Sequence, residues 1–216
     1  MLKKLFLAAA LALLAMSFVA GQADHISLQV IATSDSHGRF LPYDYAINSP
    51  NTMGSLAQIA TAVNQFRSEN PDGTIVVDAG DIIQDNSASL FLNDEVNPMV
   101  LAMNQIGYDT ITLGNHEFNY GIPTLKKIMK QFKGTVLCGN VYETNGTRLA
   151  APYAIVERDG IKIGIIGMVT PNITRWDSAN LAGYKVTKNY PSKMSNSSTE
   201  RSAFVERKRT TSSRDA

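Results

Sequence analysis

Cysteine occurs once in these 216 residues, at Cys138, so an intrachain disulfide is excluded. Histidine is nearly as scarce: His25, His37 and His116 are the only three, and none follows His116. Neither sign of charge is in excess. The formal net charge of +1 argues against a surface built around nucleic-acid phosphates, so no nucleic-acid polymer is expected as a partner. Long apolar runs are confined to the start. "MLKKLFLAAALALLAMSFVAGQA" places Lys3 and Lys4 before an apolar run from Leu5 to about Ala15, then ends on the small residues Gly21 and Ala23. That run is shorter than the ~20 residues a membrane span needs, and the layout is that of a secretory signal peptide over residues 1–23. No cysteine follows it to carry a lipid anchor, and no later segment is long and apolar enough to span. The expectation is export to the periplasm or cell surface, with no stable membrane span after cleavage.

What the chain does have is apolar content of 44%, enough for the core of one ordinary domain, and a regular alternation of patterns. "ISLQVIAT", "GTIVVDAGD", "DTITLG" and "TVLCGN" read as four short buried strands. Between the first two, after a polar and aromatic loop, "SLAQIATAVNQF" sets Leu56, Ile59, Ala60, Val63 and Phe66 at helical spacing. "NPMVLAMNQIG" is a helix with Pro98 near its start and Gly107 past its end, and "IPTLKKIMKQF" a helix closed by Gly134. "PYAIVERDGIKIGIIGMV" reads as a β-hairpin turning at Asp159-Gly160. Strands alternating with helices imply an α/β fold with mostly parallel strands, followed by this antiparallel pair.

The polar clusters recur at one place in that pattern. Asp35 and His37 follow the first strand, Asp81 the second, Asn115 and His116 the third, and Gly139 and Asn140 the fourth. In an open α/β sheet, ligands bind beyond the carboxyl ends of parallel strands, so these loops should converge. Carboxylate, imidazole and amide oxygen form a borderline-to-hard donor set, suited to Zn²⁺, Mn²⁺ or Fe. A carboxylate such as Asp81 can bridge two ions ~3.5–4 Å apart, which together activate water and neutralise a phosphoryl group. His116 could donate to a phosphoryl oxygen or protonate a leaving alkoxide. Alone, Asp35 or Asp81 would equally suit a helix N-cap. Glu117 and Asp78 read as loop organisers, Cys138 as a small buried hydrophobe, and Tyr43 and Tyr45 either as a stack for a base or as loop packing.

"DSHG" (Asp35 to Gly38), "GD" (Gly80-Asp81) and "GNHE" (Gly114 to Glu117), in that order, resemble the motif set of the calcineurin-like metallophosphoesterases. "GSLAQIATAV", "LGNHEFNYG" and "GMVTP" resemble the bacterial 5′-nucleotidase family within them, and "PYDYA" with "HEFNYG" its 2′,3′-cyclic-nucleotide 2′-phosphodiesterase/3′-nucleotidase branch. The resemblance implies a partial four-layer α/β metallophosphoesterase sandwich over residues 24–187, holding two divalent ions and acting on nucleotides. By the same resemblance, Asp35 and His37 are ligands of the first metal, Asp81 the bridge, Asn115 a ligand of the second, and His116 the catalytic histidine. Asn119 stands where the 5′-nucleotidase branch has an aspartate orienting that histidine. An amide accepts the ring N–H without supplying charge, and its presence is read as a mark of the cyclic-phosphodiesterase branch.

The family completes its metal site with downstream histidines that this chain lacks. The resemblance therefore leaves the second site incomplete, with only Asp81 and Asn115. Residues 191–216 hold seven serines and six Lys/Arg against three Asp/Glu, while residues 24–190 hold 12 Lys/Arg against 16 Asp/Glu. Residues 188–216 are expected to be a disordered tail or the product of a slipped reading frame. The alternatives to the cyclic-nucleotide activity are a 5′-nucleotidase or an inactive remnant. Sequence leaves the oligomeric state undetermined.

Overall fold

The computed structural model describes residues 25–52 and 54–188. The expected signal peptide, residues 1–23, and the expected tail from residue 189 onward lie outside the described residues.

The centre is a four-stranded parallel sheet built from β1 (Gln29–Thr33), β4 (Thr74–Asp78), β5 (Thr110–Thr112) and β6 (Thr135–Leu137), in that spatial order. Register is tight: Ile31 lies opposite Val76, Asp78 opposite Ile111, and Ile111 opposite Val136. Each new strand is added on the same side of the last. The crossovers carry α1 (Leu56–Glu69), α2 (Pro98–Ile106) and α3 (Ile122–Met129), which pack on one face. Of the apolar stripe read from the sequence, Leu56, Ile59, Ala60 and Val63 join the core, while Phe66 in the last turn is exposed. Leu56 and Val63 of α1 and Met99, Val100 and Met103 of α2 pack with Val76, Ile111 and Ile128 in one cluster. The helix caps are Ser55, whose hydroxyl accepts from Gln58 N–H, and Asn97, whose side chain accepts from Met99 and Val100 N–H. Neither Asp35 nor Asp81 caps a helix of this layer, so the bland use of those carboxylates is not their role here.

The opposite face of the sheet is covered by the hairpin β8 (Tyr153–Arg158) and β9 (Ile161–Ile166). Its turn residues Asp159 and Gly160 both have positive φ (50° and 73°), as a two-residue primed turn requires. Arg158 anchors the hairpin by donating from Nε to the Thr74 carbonyl at 2.8 Å and pairing with Asp109. At the other end, Gly167 lies against Leu137 and Thr112, where a Cβ would come within 2.3 Å of the Leu137 side chain. The hairpin does not reach β1, whose Val30 is 61% exposed. The expected architecture, mostly parallel strands with helices and a hairpin, is thus present.

Three local expectations need correction. The third helix stops at Met129 rather than running through Phe132. Beyond it, Gln131 N–H bonds the Ile128 carbonyl and Phe132 N–H that of Met129, a tighter winding that brings Phe132 into the core. The segment taken as a plain loop contains a small antiparallel ladder, β2 (Tyr43–Asp44) with β3 (Ser49–Pro50). A further pair, β7 (Val141–Glu143) with β10 (Tyr184–Val186), forms a separate two-stranded ladder. Pairs this short carry too few alternating positions to be read from sequence.

Candidate metal centre

The loops after β1, β4 and β5 meet beyond the carboxyl ends of the strands, and backbone packing brings them together. Gly80 has φ of 102°, and a Cβ there would sit 2.1 Å from the Gly114 nitrogen. Only glycine permits that approach of the second loop to the third. The first loop then hangs on the second: Asp35 N–H donates to Gly80 O, His37 N–H to Asp81 O and Gly38 N–H to Ile82 O, at 2.8–3.0 Å.

Glu117 is the clamp of this junction. One carboxylate oxygen accepts from both Asp81 N–H and Gly114 N–H at 2.7 Å, and the other from Ile82 N–H at 2.6 Å. Burial pushes its carboxyl above the usual range, and the backbone N–H groups of Ile82, Asp81 and Gly114 pull it back. Asp78, one turn deeper, accepts from Gly80 N–H at 2.8 Å and from the Thr33 hydroxyl at 2.5 Å. Burial raises its carboxyl to about 7, with the Glu117 and Asp35 charges adding to the rise and the two hydrogen bonds opposing it. Both residues organise loops, as their sequence positions suggest. Cys138 is wholly buried, and burial pushes its thiol up to about 12, so it is an inert apolar filler.

On this platform three donors converge. Ligand atoms of His37, Asp81 and His116 all lie within 4.8 Å of one another. His37 spends Nδ1 on the Gln84 side-chain oxygen at 2.8 Å, which leaves Nε2 toward the cluster and 3.7 Å from Asp35 Oδ1. A metal-binding histidine fixed through its second nitrogen is the usual arrangement. Asp81 uses Oδ1 to accept His116 N–H at 2.7 Å, leaving Oδ2. The rings of His37 and His116 stand edge to face, centroids 5.2 Å apart. Two imidazoles and a carboxylate, one ring already oriented by an amide, fit a divalent ion of the zinc or manganese kind. Asp35, His37 and Asp81 all have left-handed backbones, φ 54°, 44° and 61°, a strain that non-glycine residues carry mainly where a side chain must be aimed.

Asp35 is the most open of the expected ligands, with a side chain 63% exposed. Asn115 opens the short 3₁₀ turn His116–Phe118, half-buried between Gly114 and the catalytic candidate. The fourth strand end does not join in. Asn140 is fully buried, donating to the Val169 and Thr187 carbonyls and accepting from Val169 N–H, so it staples the scaffold. Tyr43 and Tyr45 pack edge to face on each other at 5.0 Å, and the Tyr43 hydroxyl donates to Asn48.

Two residues absent from the sequence reading belong to the surroundings of the site. Gln84 orients His37. Asp177, just past α4 (Ile173–Trp176), lies within hydrogen-bond distance of Asn119, which in turn contacts His116 Nδ1 at 2.8 Å. Gln84 stands three residues after Asp81 with no periodic or motif signal. Asp177 is 58 residues from Asn119, beyond any local pattern.

Residues 28–195 match the family model of calcineurin-like phosphoesterases. The chain belongs to the calcineurin-like phosphoesterase family. It is 34% identical over 180 residues to the 2′,3′-cyclic-nucleotide 2′-phosphodiesterase/3′-nucleotidase of Haemophilus influenzae, covering 76% of this chain and 27% of that protein. It is equally identical over 180 residues to the trifunctional nucleotide phosphoesterase YfkN of Bacillus subtilis, covering 74% of this chain and 12% of the relative. The crystal structure of calcineurin-like phosphoesterase YfkN superposes with a TM-score of 0.66 at 33% identity, over 74% of this chain and 53% of that one. This phosphoesterase chain thus spans about a quarter or less of the curated relatives it matches. No helix among the described residues is long and apolar enough to cross a membrane.

Proposed function

We propose that the chain carries the site of an exported, metal-dependent nucleotide phosphoesterase that hydrolyses 2′,3′-cyclic nucleotides and 3′-nucleotides. The observation that carries this reading is the convergence of His37, Asp81 and His116 at the ends of parallel strands, in a phosphoesterase family whose relatives are nucleotide phosphoesterases. Asp35, His37, Asp81 and Asn115 would hold the divalent ions, which when bound supply an activated water and neutralise phosphoryl charge. The chain's own groups do the rest. Glu117 and Asp78 keep the loops in register without touching substrate. Gln84 holds the His37 ring so that Nε2 faces the ion. His116, with Nδ1 on Asn119, presents Nε2 to a phosphoryl oxygen or to the leaving alkoxide. Export rests on the leader-like residues 1–23, and a mature product beginning near Asp24 in the secreted fraction checks it.

Titration of the full chain with Zn²⁺ or Mn²⁺ beside a bis-nitrophenyl phosphate assay tests the reading. Metal-dependent turnover that Asp81→Ala abolishes supports it. No turnover at any metal level sinks it and leaves the inactive-remnant alternative. A 5′-nucleotidase is the second reading, favoured by 32% identity over 151 residues to the 5′-nucleotidase of Vibrio cholerae. Faster release of phosphate from 5′- than from 3′-nucleotides would decide for it.

A further inference from the structure

Asn119 meets His116 on one side and a carboxylate on the other. Its Oδ1 is 2.8 Å from His116 Nδ1, and its Nδ2 is 3.1 and 3.2 Å from the two oxygens of Asp177. Asp177 is buried, and its Oδ1 also accepts from Asn180 Nδ2 at 3.4 Å. That same Asn180 nitrogen donates to the Phe118 and Asn119 carbonyls at 3.0 Å, tying the far segment to the turn that bears His116.

The chemistry of the three groups leaves one arrangement. An ionised carboxylate has only acceptors, so it demands the NH₂ end of the Asn119 amide. The carbonyl end must then face the imidazole, and a carbonyl oxygen has only acceptors too. His116 Nδ1 must therefore carry a hydrogen. We propose that Asp177 is a positioning residue for His116: by dictating which way the Asn119 amide points, it holds the ring in the Nδ1–H form and reserves Nε2 for the substrate. A negative charge is thereby placed one polarised amide away from the ring, in a site that lacks the direct aspartate. This deepens the proposed function, since it rests on His116 being the acid–base group. It makes no use of turnover in its test.

With three histidines in the chain, ¹⁵N-edited spectra of the ring nitrogens are tractable on the full, metal-free protein, His25→Ala and His37→Ala assigning the His116 signals. At a pH where the ring is neutral, the wild-type chain shows His116 as a single Nδ1–H tautomer. In Asp177→Asn the replacement is isosteric and still accepts from Asn180. An amide, however, both donates and accepts, so Asn119 is free to turn. The Nδ1–H to Nε2–H ratio then falls about fivefold or more, the worth of one hydrogen bond of ~1 kcal/mol. The swap Asn119→Asp with Asp177→Asn puts the acceptor-only group against the ring and restores the single tautomer. An unchanged ratio in Asp177→Asn, or a swap that leaves the mixture, overturns the assignment. A merely structural Asp177 predicts the unchanged ratio. Because the chain needs no metal and no substrate here, failure of this assignment and failure of the phosphoesterase reading are separate outcomes.

Discussion

The loop after β1 and the loops after β4 and β5 supply donors to one centre, yet they are built differently. Asp81 and Glu117 are buried, glycine-packed and cross-bonded, with every polar atom of the Glu117 carboxylate engaged by backbone N–H groups. Asp35 and His37 are far more open, 63% and 27% exposed at the side chain, and their backbone takes its shape from three bonds to the β4 loop. The difference teaches that one half of the centre is part of the core while the other is a ligand arm resting on it. Damage to the first half should be read as lost stability, and damage to the second as lost binding.

Glu117→Ala should break the contrast most severely. It strands three buried N–H groups, each costing ~1–3 kcal/mol, a sum comparable with the whole stability of a domain. Urea unfolding of the full chain should lose its cooperative transition, and a variant as stable as wild type would show that Glu117 is not the clamp. Gly80→Ala comes next. Its Cβ would meet backbone at 2.1 Å with φ at 102°, for an expected loss of about 2–5 kcal/mol. Gly146→Ala, also at positive φ but with nothing within 4 Å, should lose only ~1–2 kcal/mol, and equal losses would refute the close-approach account.

Asp78 sharpens the comparison through pH. Its folded-state carboxyl is raised, so folding favours the protonated form. Its stabilising contribution is complete below the ordinary carboxylate range near 3.8 and is lost as pH climbs through about 7. The metal-free chain should unfold at lower urea at pH 8 than at pH 5, and Asp78→Asn should shrink that gap. A gap of unchanged size in the variant would assign the pH dependence elsewhere. The open arm gives the smallest stability effects. His37→Ala should change unfolding by less than ~0.5 kcal/mol while abolishing tight Zn²⁺ uptake. Gln84→Ala, which only frees the His37 ring, should weaken Zn²⁺ binding about tenfold in a competition titration. A large loss of stability in either variant would erase the distinction between core and arm.

Much of this was legible in the residues. Helical spacing marked α1, Pro98 and Gly107 at its two ends marked α2, and short apolar runs rich in Ile and Val marked the parallel strands. Asp35, His37, Asp81, Asn115 and His116 stood out because each follows such a strand, and the structure gathers the ligand atoms of His37, Asp81 and His116. The short ladders β2–β3 and β7–β10 were not legible, since two or three residues carry no period. The early end of α3 was hidden because Phe132 continues the apolar pattern while turning into the core. Asn140 sits at a strand end like the ligands do, and only its neighbours at Val169 and Thr187 reveal a staple.

Sequence alone therefore determined the order of strands and helices and which loops end at the carboxyl edge of the sheet, because period and punctuation act over a few residues. Tertiary structure decided what those loops do to one another. That Glu117 holds the Asp81 and Ile82 amides from 36 and 35 residues away, and that Asp177 accepts from Asn119 beside His116 across 58, are facts of contact. Hydrogen bonds act through space at about 3 Å whatever the separation along the chain, so no local reading can contain them.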